Sequence, residues 1–81
     1  MKVKVRLFAM HRELAGARDL EFDITEGGTV ESVWSACVAA YPRLGEQKEA
    51  AVFAVNGRYA AAGQIVQSGD EVAIIPPVRG G

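Results

Sequence analysis

One stretch of the chain repeats its apolar residues at three- and four-residue spacing: Val30, Val33, Trp34, Cys37, Val38 and Tyr41. This is the pattern of an amphipathic helix, and its stripe must be buried against another element. Gly27 and Gly28 break the preceding pattern, Thr29 is a good N-cap, Glu31 suits the positive helix N-terminus, and Pro42 disfavours helical backbone at Tyr41. Cys37 lies on the stripe and reads as a small buried hydrophobe; a reactive thiol needs an exposed, electropositive setting.

The rest of the chain supplies strands. In KVKVRLFA, residues 2–9, Val3, Val5 and Leu7 share one side and Lys4, Arg6 and Phe8 the other. A second alternation puts Leu20, Phe22 and Ile24 inward and Glu21 and Asp23 outward, so the first two strands are expected to pair as an antiparallel hairpin. Phe53 and Val55 alternate inside AVFAVNGRY, and Asn56-Gly57 is a strong hairpin signal, returning through Tyr59 into the weak stretch 60–64. Ser68, Gly69 and Asp70 form a further turn before a last strand, Glu71 to Ile75. Residues 10–18, with His11, Arg12, Glu13, Leu14 and Gly16, read as a short polar connection with room for one helical turn that stops at the glycine. Residues 43–50, with Glu46, Lys48 and Glu49, read as a solvated connection or a short helix. The order strand, strand, helix, strand, strand, strand predicts a two-layer α+β domain, a sheet with one main helix packed on it.

Alternation also marks an anomaly. Phe8 falls on the side of Lys4 and Arg6, where an aromatic is either a single exposed apolar residue, which is common, or part of a partner surface. If Val72 and Ile74 face the core, Ile75 faces outward. Phe8, Tyr59 and Ile75 then form one exposed apolar patch, a docking surface.

With 81 residues the chain is expected to be one domain, residues 1–75 forming its body. Hydrophobic residues make up 49% and charged residues 23%, too apolar for a disordered chain. Nine basic against ten acidic residues give a net charge of −1, which favours neither nucleic acid nor an anionic membrane surface. No apolar run has membrane-spanning length, and Lys2, Lys4 and Arg6 interrupt the region where a signal peptide needs its apolar core, so the cytoplasm is the expected compartment. One cysteine, Cys37, and one histidine, His11, exclude an internal disulfide and argue against a structural zinc site.

Residues 76–81, Pro76, Pro77, Val78, Arg79, Gly80 and Gly81, form an expected extended tail. Two prolines fix φ and supply no N–H, so the chain cannot continue as helix or central strand. The glycines allow the backbone through a channel too narrow for side chains, and the reactive group they carry is the α-carboxylate of Gly81. Six extended residues reach about 20 Å, enough to enter a partner's pocket. The plainer alternative is a frayed terminus.

LFA followed by REL, GGTVESVW at the helix, AVNG at the hairpin, SGDEVAIIPPV and the final GG together resemble the small subunit of molybdopterin synthase over essentially the whole chain. The resemblance implies a ubiquitin-like β-grasp fold, with first and last strands central and parallel, and a sulfur carrier. It implies that a ubiquitin-activating-type adenylyltransferase uses ATP to adenylate Gly81, which then becomes a thiocarboxylate, the carrier itself binding no cofactor. The tail enters the large synthase subunit, in a heterotetramer of two small and two large subunits. There two sulfur transfers to the cyclic pyranopterin precursor build the molybdopterin dithiolene. Phe8, Tyr59 and Ile75 correspond to apolar positions at the large-subunit interface, with Pro76, Pro77, Val78, Arg79 and Gly80 leading into the partner. Arg79 stands where the family more often has a small residue; ubiquitin also has an arginine there. Other carriers, for the thiamine pathway or tRNA thiolation, and a ubiquitin-like modifier attached to lysines remain open.

Overall fold

The computed structural model describes residues 1–46 and 52–76. Its elements are β1 (Lys2–Leu7), α1 (Ala9–Ala15), β2 (Asp19–Asp23), α2 (Val30–Ala40), a 3-10 turn (Pro42–Glu46), β3 (Val52–Val55), β4 (Arg58–Ala60) and β5 (Glu71–Ile75). The five strands lie in the order β2-β1-β5-β3-β4. β1 runs parallel to β5, and the other pairings are antiparallel. A mixed sheet with first and last strands at its centre and one long helix across it is the β-grasp arrangement.

The core is the α2 stripe against the inner rows of β1 and β5. Val30, Val33 and Cys37 are fully buried, as are Val3, Val5 and Leu7 from β1 and Val72 and Ile74 from β5. Thr29 caps α2: its hydroxyl accepts from the Ser32 N–H at 3.3 Å, while Ser32 Oγ accepts from the Thr29 N–H at 3.1 Å. Such a cap contributes about 1 kcal/mol, whereas burying one valine contributes roughly 1.5–3 kcal/mol. Packing therefore dominates, and the cap fixes where the helix starts. The loop before β5 completes that end: the N–H groups of Val30 and Glu31 donate to the carbonyls of Gln64 and Ala62, both at 2.9 Å. Those are donors that a free helix end leaves unpaired.

The structure adds to the sequence reading in two connections. Residues 10–18 hold a helix longer than one turn: α1 runs seven residues and ends at Gly16, whose left-handed backbone (φ 72°) lets its N–H bond to the Arg12 carbonyl at 2.9 Å. β1 and β2 still pair antiparallel, but a helix and not a tight turn joins them. The 43–50 connection begins as the 3-10 turn, with Leu44 fully buried; residues 47–50, with Lys48 and Glu49, lie outside the described residues.

α1 is anchored by His11, 1% exposed, the buried polar residue among the described ones. Its ring meets Trp34 edge-on at 5.8 Å, and Trp34 in turn meets Phe53 at 6.1 Å. Neither ring nitrogen reaches a hydrogen-bond partner among the described residues.

Burial lowers the pKa of His11 below the usual 6.5, so the fold favours the neutral ring. The unfolded chain therefore binds the extra proton more readily, and stability falls as pH drops below the ordinary histidine value. Asp19, held low by hydrogen bonds from Arg6 and Arg18, titrates below that window. Urea unfolding at about pH 7.5 and about pH 5 should show the loss in the wild type and a much smaller loss in His11→Leu. Equal losses in both proteins would assign the acid sensitivity to other groups.

Candidate functional site: the open sheet face

α2 covers one face of the sheet; the register defines the other. Asp19, Arg6, Ala73, Ala54 and Tyr59 are successive cross-strand partners, so they form one row across all five strands. Phe8 and Ile75 lie two residues beyond Arg6 and Ala73, on the same side.

The face is divided by chemistry. Its β2–β1 half is ionic: Lys2 pairs with Asp23 at 3.0 Å, and Asp19 is bonded by Arg6 at 3.1 Å and by Arg18 at 3.2 Å. These groups satisfy one another; Asp23 raises the pKa of Lys2, first by hydrogen bonding and then by its charge. A broad hollow of about 500 Å³ lies here, lined by Lys4, Arg6, Asp19, Glu21 and Glu71. The β5–β3–β4 half is apolar. There Ala54 and Ala73 form the floor of a smaller hollow of about 330 Å³, with Phe8, Tyr59 and Ile75 as walls and Arg6 and Glu71 at its ionic edge. The smaller hollow is the better candidate for a docking site, because its walls are apolar groups left without cover: Phe8 is 40% exposed and Tyr59 81%.

Phe8 and Ile75, singled out by alternation, and Tyr59, grouped with them, thus share one hollow. Pro76 follows Ile75 directly and is half-buried at the foot of the tail. Pro77, Val78, Arg79, Gly80 and Gly81 lie outside the described residues. Sequence reasoning missed the alanine floor and Arg6 at its edge. The signal was available: Ala54 and Ala73 alternate with core residues in their own strands and so face outward with Tyr59.

Cys37 is fully buried, and burial pushes its thiol up to about 12, far from a nucleophile's range. No group of three or more His, Cys, Asp or Glu is placed to hold a metal ion among the described residues, and none of the described helices is long and apolar enough to cross a membrane.

Known proteins of the same kind exist. The chain is 41% identical over 81 residues to the molybdopterin synthase sulfur carrier subunit of Arabidopsis thaliana, covering 100% of this chain and 84% of the relative. It is 37% identical over 84 residues to small archaeal modifier protein 1 of Haloferax volcanii, covering 94% and 97%. The crystal structure of that modifier superposes with a TM-score of 0.90 at 32% identity, covering 100% of each chain. The ThiS family matches residues 5–81, and that match, on a β-grasp frame shared along its full length with a solved relative, means that the chain belongs to the ThiS family.

Proposed function

We propose that this chain is the sulfur carrier of a molybdopterin synthase, delivering sulfur from a thiocarboxylate on Gly81. The observation that carries the reading is the apolar hollow at the foot of the tail. Phe8, Tyr59 and Ile75 wall it on the face that α2 leaves open, one residue before the tail begins at Pro76. A body that docks through that hollow aims Pro76 to Gly81 into the same partner. Docking so converts delivery of the terminal glycine into an intramolecular step. The name of the 41% identical relative supports the same reading.

The chemistry follows from what a carboxylate lacks. The Gly81 carboxylate is a poor acyl donor, and adenylation with ATP gives it a leaving group while releasing pyrophosphate. A sulfur nucleophile then displaces AMP and leaves a thiocarboxylate. In the large synthase subunit the thiocarboxylate sulfur displaces an oxygen substituent on the pyranopterin precursor, water cleaves the acyl–sulfur bond and returns the Gly81 carboxylate, and two charged carriers supply the two sulfurs of the dithiolene. The activating enzyme and the large subunit provide acid–base and electrostatic groups. The carrier's own residues dock, aim and release. On this reading the carrier works in the cytoplasm, which supplies the ATP.

A second reading has a specific observation behind it. Arg79 precedes the glycines as it does in ubiquitin, and small archaeal modifier protein 1 is 37% identical. As a modifier, the adenylated Gly81 would instead be captured by a lysine amine.

Intact mass of the protein purified from its native cytoplasm separates the two. Exchange of one oxygen for sulfur at Gly81 is the carrier's signature, and conjugates joined through Gly81 to lysine are the modifier's. Deleting Gly81 should abolish sulfur transfer with little change in Tm, because among the described residues the buried hydrophobic ones run from Val3 to Ile74. Sulfur transfer by the truncated protein would sink the mechanism. Phe8→Ala should weaken binding to the large subunit by roughly tenfold to a hundredfold, with a Tm loss of only a few degrees. A large drop in Tm with unchanged binding would mean that Phe8 serves the core.

A further inference from the structure

The junction between β1 and α1 is built under strain. Two non-glycine residues among those described have positive φ: Asn56 at 50° and Ala9 at 47°. Asn56 is accounted for by its chemistry, since asparagine tolerates left-handed backbone and, with Gly57 at φ 86°, turns β3 into β4. Ala9 is different. The Cβ of an L-residue disfavours this region, and alanine has no polar group to hydrogen-bond its own backbone in compensation.

Such strain persists where the surroundings over-determine it. Here the determinants are two buried anchors four residues apart, Leu7 at 0% exposure and His11 at 1%, while Phe8, Ala9 and Met10 between them are exposed. Strand becomes helix with one residue between Leu7 and Ala9. Phe8 keeps the strand's extended backbone (φ −127°, ψ 155°), which by alternation turns its ring away from the core. Its carbonyl already accepts from the N–H groups of His11 at 3.1 Å and Arg12 at 3.4 Å. The whole change of direction therefore falls on Ala9.

We propose that Ala9 is a positioning residue for partner recognition: its left-handed backbone, clamped between buried Leu7 and His11, holds the Phe8 ring over the hollow that it shares with Ala73 and Ile75. The identity of the docked partner rests on the carrier reading; the positioning does not. A right-handed Ala9 would send α1 off in another direction, so that Phe8 over the hollow and His11 against Trp34 would no longer be compatible. The position accepts glycine and a D-residue, for which positive φ is free of the Cβ penalty, and rejects β-branched side chains.

The test uses full-length Ala9→Gly and Ala9→Val, and a semisynthetic chain with D-alanine at position 9. Each is measured by NOEs from the Phe8 ring to Ala73 or Ile75, by Tm, and by affinity for the large molybdopterin synthase subunit of the same organism. Ala9→Gly should keep the NOEs and bind within about twofold of wild type, while Ala9→Val, measured well below its Tm, should lose the NOEs and bind roughly tenfold or more weakly. D-alanine should raise Tm with NOEs and binding intact, a result that an ordinary helix position would reverse and that stands even if Ala9→Val does not fold. Retained NOEs and affinity in Ala9→Val, or a lower Tm with D-alanine, would overturn the proposal, as would lost NOEs with unchanged affinity. Failure of the wild type itself to bind the large subunit would strike the carrier reading, leaving the NOEs and the D-alanine melt to decide the role of Ala9.

Discussion

The burial of the α2 stripe against β1 and β5 is the constraint from which the other features follow. Side chains on a strand alternate, so once Val3, Val5 and Leu7 and then Val72 and Ile74 are committed to the helix, Lys4, Arg6, Ala73 and Ile75 are committed to the opposite face. The outer surface is not free to vary independently of the core. A one-residue slip in β1 would bury Lys4 and Arg6 and expose its valines, and a slip in β5 would bury Glu71 and expose Val72 and Ile74, which makes the register secure and the composition of the outer face dependable. The parallel β1–β5 pairing adds position: it carries the end of β5, and with it Pro76, beside the end of β1, where Phe8 follows Leu7.

Much of this was legible because it leaves periodic marks. The α2 stripe, the alternation of β1 and β5 and the Asn56-Gly57 turn all appear where the sequence puts them, and alternation alone assigned Phe8 and Ile75 to the outer side. What alternation does not encode is neighbourhood. The central, parallel placement of β1 and β5 came from the resemblance, since nothing in either strand names its partner. α1 was underestimated because its deepest anchor is a histidine, a residue as much at home on the surface as inside. Leu44 is a single apolar residue in polar surroundings and Val66 sits beside an exposed Ile65, so the burial of each depends on where a loop runs in space. The alanine floor is silent for a related reason: a methyl group fits core, surface and hollow alike. Ala9 hides its handedness in the same way, whereas Gly16 and Asn56 announce theirs.

The structure also separates stability from recognition. Buried hydrophobic side chains fill the space between α2 and the sheet, while Phe8, Tyr59 and Ile75 gather in one hollow of about 330 Å³ on the opposite face beside paired charges, with Met10 and Ile65 exposed elsewhere. An apolar patch that small keeps the free chain clear of the large exposed surfaces that drive non-specific association. It still concentrates two aromatic residues and an isoleucine where a partner can desolvate them together, which is how a few side chains come to dominate an interface.

That economy suits a carrier more than a permanent subunit. On the carrier reading one glycine visits an activating enzyme and then a synthase, so the body must dock firmly enough to place the tail and weakly enough to leave. A broad apolar interface would meet the first need and defeat the second, because most differences in affinity between related complexes lie in the dissociation rate. A compact hollow with an ionic edge at Arg6 and Glu71 meets both. Its apolar walls supply contact energy from few atoms, and charges beside them restrict which surfaces can approach without leaving a buried group unpaired. Precision must then come from geometry and not from area. The clamped junction at Ala9 supplies it: the Phe8 ring is held ready by backbone already fixed between two core residues, so little ordering is left to be done when a partner arrives.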